Sequence, residues 1–128
     1  MRIRNFFIAG GLFAGLAVVL GAMAAHALKG SLSNELLSSF KTGVRFQMYH
    51  GLALLALAPS LQFFSPKGVV WTFYTMTIGT FLFSFSIYGL CLLPLIDINA
   101  SWLGPITPMG GTALIASWVI LLFSLKKV

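Results

Sequence analysis

Four runs of apolar residues, at about Phe6 to Leu28, Val44 to Phe64, Val69 to Leu93 and Met109 to Leu125, divide the chain, and most polar residues fall between them. Each run is close to the ~20 residues that a helix needs to cross the hydrocarbon of a bilayer, and each carries a helical rather than an alternating pattern. Lipid offers no partner to backbone polar groups, so an open sheet would leave its edges unsatisfied there. The pattern therefore predicts an all-α membrane protein: a four-transmembrane-helix bundle, one domain over 1–128, with helices at about 6–28, 34–64, 69–93 and 108–125. Gly30 to Asn34 and Pro94 to Pro108 are expected as loops, and "SPKG" at Ser65 to Gly68 as a tight turn.

Finer periodicity assigns faces. In the first helix Gly11, Gly15, Val18, Ala22 and His26 recur every three or four residues, so they share a side on which another helix can approach closely. Packing within the bundle and self-association through the Gly11 and Gly15 pair both remain open. The second helix is expected to begin with an interfacial extension, because Ser33 is a good N-cap, Glu35 suits the positive end of the dipole, and Leu32 can staple against Leu37. Leu36, Phe40, Val44, Gln47, Gly51 and Leu54 then align on one side, with Lys41 and Arg45 nearly opposite. Pro59 is expected to kink or end this helix.

The third run carries Thr72, Thr75, Gly79 and Ser86 on one stripe and Thr77, Ser84 and Tyr88 on another. Such hydroxyls usually bond their own helix or a neighbour, and a conduction path is the alternative. In the fourth, Thr107 is expected to cap with Pro108 in the first helical position, and Gly110, Ala113 and Ser117 permit close packing.

Composition agrees with a membrane setting: 59% of the 128 residues are hydrophobic, 8% are charged, and the mean hydropathy is +0.98. The net charge of +6 comes from eight basic and two acidic residues scattered between apolar runs, so it is read as topology and anionic-lipid contact, not nucleic-acid binding. With the N-terminus inside, Arg2, Arg4, Lys67, Lys126 and Lys127 fall in the cytoplasm, against Lys29, Lys41 and Arg45 outside. This balance places both termini in the cytoplasm of a multi-pass cell (inner) membrane protein. "AMA" at Ala22 to Ala24, after Arg2 and Arg4, also has the form of a signal-peptidase site, although the glycine spacing favours a retained helix. Cys91, the single cysteine, is read as a small buried hydrophobe.

Antiparallel spans bring His26, Arg45, His50, Tyr88, Asp97 and "GPITP" to one membrane side. A polar site is expected there: His50, Gln47, His26 and Arg45 against the carbonyls of Pro105, Thr107 and Pro108, with Tyr88 nearby. Pro105 and Pro108 lack N–H donors, which leaves that loop rich in acceptors. No HExxH, GxSxG or Walker pattern occurs, so no catalytic, metal or cofactor-binding residues are assigned and an enzyme is not expected.

The segments "GAMAAHALKG", "TGVRFQMYHGLALLALA", "SIYGL" and "LGPITPMGG" together resemble the small membrane-protein family catalogued as domain of unknown function four-two-three, over nearly the whole chain. The resemblance implies a four-span inner-membrane protein with relatives in bacteria and eukaryotes. It singles out His26, Arg45, Gln47, His50, Gly104, Pro105, Thr107, Pro108 and Gly110 without supplying a chemistry; Ala24 stands where the family often has glycine. The leading functional expectation is a non-enzymatic bundle, an accessory or assembly subunit in a homo-oligomer or larger membrane complex. The alternatives are a small oligomeric channel or transporter and, behind it, a haem or quinone protein using His26 and His50.

Overall fold

The computed structural model describes residues 1–127; Val128, the last residue of the expected domain, lies outside them. The regular elements among the described residues are helices: α1 (Ile3–Ala25), α2 (Asn34–Leu57), α3 (Pro66–Thr80), α4 (Ser86–Leu92) and α5 (Ile106–Phe123). A π-helical turn, Phe81–Phe85, joins α3 to α4, so Pro66–Ile96 forms one rod of 31 residues and the architecture is four helices. Three of them, Ile3–Ala25, Pro66–Ile96 and Ser101–Phe123, are long and apolar enough to cross a membrane. α2 has the length, with 24 residues, but Glu35, Lys41, Arg45, Gln47 and His50 lower its hydropathy.

Local chemistry sets the boundaries. Ser33 caps α2 by accepting from the Leu36 amide at 3.2 Å. The sequence "SPKG" is not a free turn as expected but the start of α3: Ser65 accepts from the Gly68 amide at 3.2 Å, and Pro66 sits where a missing N–H costs nothing. At Pro59 the ring excludes α-helical continuation, and Ala58–Phe63 tightens into a 3-10 helix. The fourth helix begins at Ile106 with Pro105 in the cap position, so Thr107 does not cap it; its hydroxyl instead meets the Ser86 hydroxyl at 2.6 Å.

α1 and α2 run antiparallel over their whole length. A Cβ at Gly10 would lie 2.7 Å from the Gly51 carbonyl oxygen, and one at Gly51 would lie 2.8 Å from the Ala14 amide. Further along, Gly21 faces Val44, and Ala24 shares a core with Phe40. The packing face of α1 is thus Phe6, Gly10, Ala17 and Ala24. This corrects the expected face: Gly11, Gly15 and Ala22 are exposed, and no atom lies within 4 Å of a Cβ built at Gly11 or Gly15. The small-residue signal was read one position, or about 100° of helix, out of phase, because Gly10 belongs to the buried line and Gly11 does not.

α3 and α5 form the second antiparallel pair. Gly79 approaches Leu114, Gly110 approaches Phe83 and Gly68 approaches Ser124, so three glycines bring the helices together. Aliphatic and aromatic side chains fill two cores. One, around Phe6, Leu54, Val69 and Met76, lies toward the end where Met1, Leu61, Phe64 and Lys126 gather; the other, around Phe40, Ile87, Tyr88 and Cys91, lies toward the α1–α2 loop. Met1 and Lys126 therefore meet at one end of the bundle, where Lys126 donates to the Gln62 carbonyl at 2.9 Å.

Candidate functional site

Gln47 is fully buried midway along α2. Its amide nitrogen donates to the Phe13 carbonyl of α1 at 2.9 Å, and its oxygen accepts from the Tyr88 hydroxyl of α4 at 2.7 Å. Gly43, one turn earlier, makes room for the tyrosine, since a Cβ there would lie 2.8 Å from the Tyr88 ring. The Ser84 hydroxyl, within the π turn, donates to the Gly43 carbonyl at 2.7 Å. Phe40 and Phe85 enclose Tyr88, with ring centroids 4.9 Å and 5.4 Å away. One glutamine thereby ties three helices in a water-poor interior, where an unmade polar contact is costly.

His50 forms a separate cluster toward α5. Its Nε2 lies 3.1 Å from the Trp118 indole nitrogen, and its Nδ1 lies 2.7 Å from the Phe46 carbonyl. An indole N–H can only donate and a carbonyl can only accept, so Nε2 must accept while Nδ1–H donates. This fixes a neutral imidazole in a single tautomer, with no lone pair left for a metal. A haem iron could be ligated only after Trp118 swung away.

The single polar site expected from sequence is thus divided, because residues three apart on a helix differ by about 60° in direction. Gln47 points between α1 and α4, whereas His50 points to α5. His26 is exposed just past the end of α1, and Arg45 is exposed on α2, where it donates to the Thr42 hydroxyl at 3.1 Å. Neither hydrogen-bonds the "GPITP" segment. Pro105 and Pro108 are exposed at the start of α5, and Thr107 with Pro108, Thr42 and Cys91 borders a cleft of about 610 Å³ between α2, α4 and α5. Among the hydroxyls of the third run, Thr75 and Thr80 donate back to Trp71 and Met76, each at 2.7 Å. No group of three or more His, Cys, Asp or Glu able to hold a metal occurs among the described residues.

Trp118 was missed by sequence reasoning, and Gly43 was legible only as part of the "TGVRFQMYH" motif, not as the gap that admits Tyr88. A tryptophan in an apolar run brings an N–H that needs an acceptor, and that was the available signal for Trp118. His50→Phe is expected to lower the detergent melting temperature, because the Trp118 N–H loses its acceptor on a span whose surroundings, acyl or detergent tails, offer no other. A shift in Trp118 emission, read in a Trp71→Phe, Trp102→Phe background, should accompany it.

Four helices joined internally by polar side chains, with Leu12, Ile115, Leu122 and Phe123 turned outward at 68% to 87% exposure, define a small helical membrane protein. The chain belongs to the family described as protein of unknown function (DUF423), whose profile matches residues 20–111. It is similar to the UPF0382 membrane protein YwdK of Bacillus subtilis, with 40% identity over 125 residues, 97% of this chain and 98% of the relative. The UPF0382 membrane protein SH2409 of Staphylococcus haemolyticus is 37% identical over 97% of both chains. The UPF0382 membrane protein C1782.12c of Schizosaccharomyces pombe is 36% identical over 84% of this chain and 89% of its own. No solved structure matches. The family match includes Gln47, His50, Tyr88 and Gly110, while Phe13 and Trp118 lie outside it.

Proposed function

We propose that the protein is a non-enzymatic four-span bundle of the cell membrane that serves as an accessory or assembly subunit of a larger membrane complex. The observation carrying this reading is the use of most interior polar side chains: Gln47, Tyr88, Ser84, His50 and Ser86 each bond another helix or their own backbone, whereas the hydroxyls of Thr72 and Thr77 have no partner among the described residues. Side chains so engaged rigidify a scaffold. A reaction or an ion path would instead need them poised toward a substrate. Affinity purification from native membrane in mild detergent tests the reading, and reproducible recovery of a larger membrane complex is the expected result. A discrete homo-oligomer that carries ion flux in liposomes would replace it with the channel or transporter alternative.

The fourth span is supported by the α1–α2 pairing. A helix antiparallel to a span from Gly10 through Ala24 traverses the same layer, so α2 crosses if α1 does, with α1 retained in the mature protein. Gln47 and His50 are compatible with this because they face protein rather than lipid. Arg2, Arg4, Lys67, Lys126 and Lys127 lie toward the end holding both termini, which the positive-inside rule assigns to the cytoplasm. Single cysteines at Ser31, Gln62 and Ser101, all exposed, in a Cys91→Ser background test it with an impermeant thiol reagent on whole cells. Labelling at Ser31 and Ser101 with protection at Gln62 is expected. The reverse pattern would invert the bundle.

A further inference from the structure

Lys41 and Arg45 are absorbed by neither interior cluster, and they line a cleft of about 390 Å³ between α1 and α2 together with Gly21, Ser38 and Val44. We propose that this cleft binds an anionic phospholipid, with its phosphodiester on Lys41 and Arg45 and its glycerol and first acyl carbons against Gly21 and Val44. The proposal rests on α2 spanning the bilayer beside α1.

Depth is the first argument. Measured along α1 from Ile3 at ~1.5 Å per residue, Gly21 lies about 27 Å along the span, and Val44 packs against it, so the neighbouring Arg45 stands near the far edge of a ~30 Å hydrocarbon layer. Lys41 stands one turn further toward the headgroups, about 6 Å along α2. The cleft thus straddles the plane where lipid phosphates meet acyl chains.

Charge and orientation are the second. The chain's only acids are Glu35 and Asp97, and Glu35 lies six residues before Lys41 and ten before Arg45, about 9 Å and 15 Å along the helix. The cation pair therefore has no carboxylate partner on its own helix at that level. The Thr42 hydroxyl donates to the Ser38 carbonyl at 3.1 Å, which turns its lone pairs toward Arg45, whose Nη2 donates to it at 3.1 Å. This chain of bonds holds the guanidinium in place and leaves four of its five N–H groups free, a geometry suited to phosphate oxygens. Gly21 supplies the space: a Cβ there would touch Val44 only at an ordinary 3.6 Å, so the glycine is not demanded by packing.

Native mass spectrometry of the full chain in dodecyl maltoside, titrated with palmitoyl-oleoyl phosphatidylglycerol, phosphatidylcholine or inorganic phosphate, tests this whichever way the bundle inserts. Phosphatidylglycerol should be retained in preference to phosphatidylcholine, and Lys41→Gln with Arg45→Gln should weaken its retention on the order of tenfold or more. Arg2→Gln with Arg4→Gln, at the other end, should leave it unchanged. Gly21→Leu keeps both cations but fills the cleft, and it should weaken retention while the melting temperature without lipid stays near the parent's. Equal retention of the two lipids, retention insensitive to the Lys41 and Arg45 changes, or displacement of phosphatidylglycerol by inorganic phosphate would each overturn the site.

Discussion

Gly110→Leu should yield no monodisperse protein from detergent extracts, whereas Gly11→Leu and Gly15→Leu should yield as much as the parent. A Cβ at Gly110 would run into the Phe83 amide nitrogen and fall 2.7 Å from its Cα. These are backbone atoms of the π turn, and no rotamer change can withdraw them. Overpacking usually costs about 1–3 kcal/mol where side chains can adjust, and here α5 as a whole must move off the rod. Gly110→Ala should still fold, with a melting temperature well below the parent's. At Gly11 and Gly15 an added Cβ meets no neighbouring helix within 4 Å, and both positions are exposed. Yield, size-exclusion profile and melting temperature of the four variants check the prediction. If Gly110→Leu behaves like Gly15→Leu, the α3–α5 crossing described above is wrong.

The second large effect is expected at Gln47. Gln47→Leu preserves approximate volume but leaves the buried Tyr88 hydroxyl without its acceptor, at a cost of ~1–3 kcal/mol, and removes the bond to Phe13. Tyr88→Phe is the milder change, because Gln47 keeps its bond to α1 and loses one acceptor contact. The double variant should be less destabilised than the sum of the two, since the orphaned hydroxyl is gone along with its acceptor. Urea or thermal unfolding in a fixed detergent gives the three values needed for the cycle. Strict additivity would mean that Gln47 and Tyr88 do not share a bond.

Length and hydropathy made the helices legible, because the bilayer admits few other solutions and Ser33 and Pro59 mark boundaries through local chemistry that any sequence displays. Gly110 was legible for the same reason: a small residue in an apolar run signals close approach. The phase of such signals was not. Gly10 and Gly11 are adjacent in sequence, and only the identity of the neighbour, Gly51, decides which of them is enclosed. The polar site was legible as a set of residue types, and Gln47 and His50 are indeed buried. Their partners were not, because Phe13 contributes a backbone carbonyl, which every residue has, and Trp118 lies 68 positions away on a helix whose rotation no local rule determines.

The π turn gives the rod two orientations in one span. Before it, α3 presents Gly79 to α5; after it, α4 presents Tyr88 to α2. A π turn holds one residue more than the α-helical turn it replaces, so if Phe81–Phe85 wound at the regular 100° per residue, everything downstream would turn by about that angle. Tyr88 would then swing away from Gln47 while Gly79 stayed in place. The five residues act as a phase shifter, and the sequence distance from Gly79 to Tyr88 is as much a determinant of this fold as the identity of either residue.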